Sequence, residues 1–338
     1  TKDMLMAGKT LPSVYGANSP KENAADLRTK GWEASVTWRD EFAVAGKPFK
    51  YNVTLGVGDN TARITRFDNP NKKISDFYEG QKLGEIWGYV VDGYFLSDAE
   101  AASYPVDQTA VNTIINSSAN DVGVRAGDLK FVDLDGDNKI SLGANTVDSP
   151  GDRKVIGNSM PRYNYGVNLG SSWNGIDVSV FVQGIGKQNW YPGTDASVFW
   201  GPYARPYASF IPSDFLSKVW SPENPNAYFP RPRGYVALNK DNRSLGVANT
   251  KYIQDLAYAR VKNITVGYTL PKYISSKISL SRCRIYFSGE NLFTFTKLEN
   301  DFIDPEQAST ANTFNVSTST ARVYPWAKTF SFGLDISL

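Results

Sequence analysis

The chain has 338 residues, with 36 basic side chains against 34 acidic ones and a formal net charge of +2, so no global field points to nucleic acid. With no histidine and one cysteine, Cys283, it cannot build a Ser–His triad, a Cys/His zinc site or an internal disulfide. No apolar run approaches the ~18 residues of a helical membrane span, and the opening TKDMLMAGKTLPSVYG lacks a signal-peptide core and reads as a point of entry into a longer protein.

Period-two alternation recurs along the chain. Near 27–39, Trp32, Ala34, Val36 and Trp38 oppose Glu33, Ser35, Thr37 and Arg39. Near 49–58, Tyr51, Val53, Leu55 and Val57 oppose Asn52, Thr54 and Gly56. Near 162–173, Tyr163, Tyr165, Val167, Leu169 and Trp173 share a face, and Asn174-Gly175 then signals a two-residue hairpin. Ile176, Val178, Val180 and Val182 continue the apolar face near 176–186, in a register that agrees across the turn. Further strands are expected near 257–270, 282–296 and 327–338, which makes roughly seven.

The connections alternate strictly between short (40–48, 174–175, 271–280) and long (68–160, 188–254, 297–325). An antiparallel sheet with tight turns at one end and long loops at the other fits an all-β transmembrane barrel. Its apolar face would meet outer-membrane lipid, its small polar face would line a lumen, and Tyr163, Trp173 and Tyr268 would sit in interfacial girdles. The alternative is a soluble, secreted β-sandwich, a carbohydrate-binding module or glycosidase, whose apolar faces pack together. Bacterial single-chain barrels use even strand numbers, so an odd count suggests the C-terminal part of a larger barrel. No carboxylate pair suited to glycoside hydrolysis stands out, and an enzyme is not expected.

Several ordered segments resemble SusC/RagA-like TonB-dependent transporters of the Bacteroidetes outer membrane. They are GQKLGEIWGYVVDGYF (80–95), GDLKFVDLDGDNKI, DRKVIGNSMPRYNYGVNLGSSWNGIDVSVFVQGIG, YIQDLAYARVKNITVGYTLP, RIYFSGENLFTFTK, DPE (304–306) and YPWAKTFSFGLDISL. The resemblance covers nearly the whole chain. It implies a 22-stranded barrel and a SusD-like surface lipoprotein that caps it as a lid. It also implies import of oligosaccharides or peptides, driven by the TonB complex. The plug and the TonB-contacting segment belong to an N-terminal region outside these residues.

The stretch FVDLDGDNKIS sets Asp133, Asp135 and Asp137 at alternate positions. Read as a calcium loop, they take positions 1, 3 and 5, and the Lys139 carbonyl takes position 7. Ala144 stands where an acidic residue should close the loop. The resemblance implies an acidic residue just before R-x-V-I-G-N, which is Asp152, preferred to Asp148. Ile140 would anchor the loop. Hard oxygen ligands favour a structural Ca²⁺; the plainer reading is a solvated acidic turn.

The segment NWYPGTDASVFWGPYARPYASF concentrates Trp190, Tyr191, Phe199, Trp200, Tyr203, Tyr207 and Phe210, with Asp195 and Arg205 nearby. Trp190, Tyr191, Trp200, Tyr203, Arg205 and Tyr207 are candidates for substrate stacking or the lid interface. The plainer reading is that most of them pack the loop itself or the lid partner, since Tyr, Trp and Arg are also interface residues. The last strand presents Ser331, Gly333, Ile336 and Leu338 in a spacing that resembles the terminal barrel-assembly signal, with Leu338 where that signal normally has an aromatic residue.

Overall fold

The computed structural model describes residues 1–7, 16, 21–111, 123–194, 196–204, 211–232, 238, 244–299, 302–308 and 326–338. One antiparallel sheet dominates it, with strands β1 (Met4–Ala7), β2 (Lys21–Val44), β3 (Lys47–Arg66), β4 (Arg162–Trp173), β5 (Ile176–Lys187), β6 (Tyr258–Thr269), β7 (Arg282–Thr296) and β8 (Thr329–Ser337). Sheet order follows chain order, and each strand pairs with its sequence neighbour. That is an up-and-down meander, the topology of an outer-membrane barrel wall.

Among the described residues this sheet has eight strands, against the roughly seven expected. The additional one, β1, is four residues long and meets β2 through an irregular register. An odd strand count is therefore no argument for missing strands. Incomplete closure is: among the described residues β1 and β8 each have one neighbour, so the sheet is an open section of wall.

The register separates two solvents. One row runs Phe42–Phe49–Trp173–Ile176–Tyr268–Ile285–Leu334, one residue from each of β2 to β8, and every member is apolar or aromatic. A row of the opposite parity runs Arg39–Asn52–Gly170–Ser179–Thr265–Ser288–Ser331 and is polar or small throughout. Trp38, Val36 and Phe332 on the apolar face are 61%, 65% and 84% exposed, so among the described residues no second sheet covers it. A soluble sandwich would bury these side chains; here they are built for lipid.

Short turns close one end. Ala45-Gly46 and Asn174-Gly175 have positive φ at both positions (51° and 74°, 49° and 86°), the requirement of a type I′ hairpin. The expected turn over 40–48 thus shrinks to two residues, because β2 and β3 pair down to Val44 and Lys47. The third connection holds two short helical turns, Lys272–Ser275 and Ser276–Ile278.

The long connections leave the other end and share one core. Phe131 and Ile140 from the first, Trp200 and Tyr252 from the second, and Leu298 and Ile303 from the third belong to one buried cluster. Three two-stranded ribbons brace it: Glu85–Tyr89 with Arg153–Asn158, Val91–Tyr94 with Leu129–Phe131, and Asn189–Trp190 with Gln254–Asp255. No helix is long and apolar enough to cross a membrane, which says nothing about crossing by strands.

Candidate functional site

The polar face carries a trough of about 1000 Å³ lined by Glu33, Ser35, Asn164 and Gln183, with Gly56, Gly58 and Gly166 leaving the space. Nearer the short turns the face is cross-braced. Arg284 donates to Asp177 at 2.6 and 2.9 Å and to Asp335 at 3.0 Å, and its guanidinium lies 4.9 Å from the Tyr286 ring centre. A Cβ on Gly267 would come within 2.5 Å of the Arg284 guanidinium, and one on Gly333 would enter the Tyr286 ring. Gly333, singled out as part of a terminal signal, is thus also the seat of that ring.

At the loop end, a buried ion network ties the DPE segment to the wall. Arg260 on β6, 3% exposed, donates Nη2 to both Asp304 oxygens at 2.7 Å and Nη1 to Glu306 at 2.6 Å. Glu306 also accepts from Lys262 Nζ at 2.8 Å, and that ammonium stands 5.3 Å from the Trp326 ring centre. The motif was legible, but its partner was not: Arg260 lies 44 residues upstream of Asp304 and meets it only in the fold.

The aromatic candidates lie inside the loop body. Trp190, Trp200 and Tyr203 are 1%, 0% and 2% exposed, and Tyr191 is buried with them. Three of them bond to backbone: Tyr203 Oη donates to the Pro230 carbonyl at 2.6 Å, Tyr191 Oη to Leu245 at 2.8 Å, and Trp200 Nε1 to Pro192 at 3.1 Å, while the buried Trp190 Nε1 meets no acceptor among the described residues. Rings enclosed in this way pack the loops and offer no face to a sugar or a lid. Of the six candidates for substrate stacking or the lid interface, these four are therefore enclosed in the loop body. Arg205 and Tyr207 lie outside the described residues, as do Asp195 and Phe210. Beside this core is a cavity of about 420 Å³, lined by Val198, Phe199, Ile211, Phe215, Lys218 and Phe302.

In the acidic loop, one oxygen from each of Asp133, Asp135 and Asp137 lies within 4.8 Å of the others. Asp133 accepts from the backbone of Gly136 and Asn138, Asp135 from Asp137, and Asp137 from Lys139. Gly136 and Asn138 take left-handed φ of 80° and 60° to make this fold possible. Ile140 is fully buried, as an anchor should be. Asp152 stands beneath the triad, 0% exposed, and its two oxygens accept from Leu134 and Ser141 at 2.7 Å, clamping both ends of the loop. Burial pushes the Asp152 carboxyl up, helped by the charges of Asp135 and Asp133, and the two backbone donors only partly offset this. For Asp133 burial acts in the same sense, but the Gly136 and Asn138 amides and the neighbouring Asp152 outweigh it and hold the group below the usual range. The donor set is all oxygen, close and anionic, and it fits a hard divalent cation.

An open meander with one face for lipid, one polar face and a folded body of loops at one end is a section of outer-membrane β-barrel. The chain is similar to TonB-dependent receptor P3 of Formosa agariphila, at 27% identity over 99% of its own length and 31% of that protein. It is also similar to TonB-dependent receptor P26 of the same organism, at 23% identity over 100% of the chain and 32% of the relative. Among solved structures, the RagAB peptide transporter superposes with a TM-score of 0.60 at 15% identity, over 99% of this chain and 32% of that one. The RagAB peptide importer in its open-open state gives 0.59 at 15% identity, over 100% and 31%. No family model matches. The chain spans about a third of the length of these relatives. They are receptors and transporters of the outer membrane, not enzymes, and the family resemblance read from the motifs is the one the comparisons return.

Proposed function

We propose that this chain forms pore wall and external loops of a TonB-dependent importer, the SusC-like barrel of a two-component complex. A SusD-like surface lipoprotein would close over the loop end, and energy would come through TonB by way of a region outside these residues. The cargo is an oligosaccharide or a peptide, passing along the polar face. The observation that carries this reading is similarity to TonB-dependent receptors across the whole chain, joined to a sheet whose outer face suits lipid. The RagAB likeness supports a peptide cargo by fold alone. The test is uptake by cells making the full-length receptor, offered labelled oligosaccharides and labelled peptides in separate arms. Uptake of one class should vanish when TonB is inactivated, and uptake of both that persists without TonB would refute the reading.

The acidic loop belongs to the same proposal as a structural Ca²⁺ site. Asp133, Asp135, Asp137 and the Lys139 carbonyl would hold the ion, and Asp152 would hold the loop from beneath. Three carboxylates this close repel one another, and a divalent cation would relieve them while fixing a long loop in one shape. The ion would do no chemistry.

A further inference from the structure

The outward face of β2 and β3 changes character at its loop end. From Trp32 to Phe42 the outward side is largely apolar. That distance, at about 3.3 Å per residue and a tilt of ~35–45°, spans ~23–27 Å along the membrane normal, the height of a barrel's apolar band. Beyond Trp32 the same face of β2 presents Lys30 and then Arg28, both exposed. Arg28 therefore stands roughly 9–11 Å above the band by the same geometry, at headgroup level.

The register makes these residues part of a row. Arg28 lies opposite Arg63 on β3, and Arg63 lies opposite Lys82 in a further antiparallel bridge. Around that bridge Ile64 N donates to Gln81 O at 3.0 Å and Leu83 N to Ala62 O at 2.9 Å. Arg63 and Lys82 are thus a non-hydrogen-bonded pair, the kind whose side chains approach most closely. Their neighbours Ile64 and Leu83 are buried at 6% and 8%, so the two cations point out. Three cations lie side by side, with Lys30 beneath them.

Like charges directly opposite in a sheet destabilise it, and elsewhere this protein neutralises such cations. Arg66 is paired with Asp3 and Asp26, and Arg284 with Asp177 and Asp335. Among the described residues no carboxylate pairs with Arg28, Lys30, Arg63 or Lys82; Arg63 Nη1 reaches the Gly80 carbonyl at 2.9 Å. Asp59, opposite Trp32 on this face, is held by Arg162, with Nη2 to Oδ2 at 2.5 Å. Among the described residues the row has no counter-charge, and an anion at headgroup height on the lipid side would supply one.

We propose that Arg28, Lys30, Arg63 and Lys82 bind the phosphate groups of an outer-leaflet glycolipid whose acyl chains lie along the apolar face below. The two guanidiniums offer planar forks suited to phosphate oxygens, and the two ammoniums add point charges. The inference does not depend on the cargo or the lid, only on the barrel standing in an outer membrane.

The test uses the full-length receptor in nanodiscs containing monophosphoryl lipid A, with bound lipid counted by native mass spectrometry. Wild type should retain lipid A, and R28Q/K30Q/R63Q/K82Q should retain about tenfold less, as expected from losing several charge-assisted contacts. A K154Q/K277Q control, which removes exposed charges elsewhere, should behave as wild type. Dephosphorylated lipid A should not be retained, and inorganic phosphate should not compete at concentrations that leave the lipid in its bilayer. If the quadruple variant fails to insert, R63Q alone and wild type at raised salt read the same quantity, and both should lose lipid. Equal retention by wild type and variant would overturn the proposal. So would full displacement by inorganic phosphate, or a loss of protein partner with lipid binding unchanged.

Discussion

The same residue types meet opposite fates in the sheet and in the loop body. Trp32 and Trp38 on β2 are 51% and 61% exposed, whereas Trp190 and Trp200, in the loop after β5, are 1% and 0% exposed. In the loops, aromatic area leaves water by packing on other rings: Trp200 lies 5.2 Å from Tyr252 and 4.9 Å from Phe199, centre to centre, both edge-on. In the sheet, aromatic area is left for lipid, and Trp38 Nε1 donates to Tyr51 Oη at 3.3 Å on that same face. One chain therefore solves two solvation problems, with the barrel rim as the boundary. The Arg260–Asp304–Glu306 network sits where the two regimes meet.

This contrast can be broken from either side. Removing residues 331–338 takes away most of β8 while leaving the loop body intact in sequence. The full-length protein so truncated should fail to appear in the outer membrane and be degraded in the periplasm, because β7 would lose its β8 partner and present an open edge. Normal surface levels by protease shaving would refute this. In the loop body, Trp200→Ala should cost about 3–5 kcal/mol of loop stability. External loops should become protease-sensitive while the barrel keeps its heat-modifiable mobility on gels. Asp304→Ala should have a similar effect, about 3–5 kcal/mol, because it uncovers the buried Arg260 charge; hydrogen exchange at 297–308 would report it.

A smaller effect distinguishes the two faces of one strand. Leu55→Arg, near mid-height on the lipid face, should cost about 2–4 kcal/mol in bilayer refolding, and Thr54→Arg on the polar face much less. Equal costs would mean that the apolar face does not meet lipid.

The smallest effect concerns the acidic loop. Asp133→Ala and Asp137→Ala should weaken Ca²⁺ binding and loosen residues 128–155 without altering the barrel, read by proteolysis with and without Ca²⁺. The pH dependence has a definite sign. Asp133, held low, contributes stability above the ordinary carboxylate range that is lost as pH falls through its lowered value. Asp152, pushed up, contributes in the opposite sense: its stabilising protonated form is lost as pH rises through its raised value. A bound cation would offset that second loss, so Ca²⁺ protection should be strong near pH 7 and fade as the carboxylates take up protons in acid. Protection that is independent of pH, or present equally in Asp133→Ala, would contradict the site.

The wall was the legible part, for a physical reason. Alternation is written locally, so Val53–Leu55–Val57 and Ile176–Val178–Val180 declare their face from sequence alone. Where both faces are wet the signal stops, and β2 was read from 27 although it begins at Lys21. The strand Met4–Ala7 was missed because four residues show no alternation that stands out. Ala45-Gly46 makes the same turn as Asn174-Gly175 but with a weaker sequence signature. The aromatic loop was recognised as dense in rings, yet burial depends on what three distant connections bring to it. No spacing within 190–204 states that Tyr252 will cover Trp200. The row Arg28–Arg63–Lys82 was likewise invisible before the register, since its members are far apart in the chain.

The most direct measurement is the access of membrane-soluble and water-soluble relaxants to spin labels placed singly at 35–38 and 53–56, in the full-length protein carrying Cys283→Ser, in bilayers. The account predicts period-two alternation: labels at 36, 38, 53 and 55 relaxed by oxygen from the lipid, and labels at 35, 37, 54 and 56 relaxed by a polar reagent from the lumen. Uniform accessibility along either strand, or the opposite phase, would contradict it.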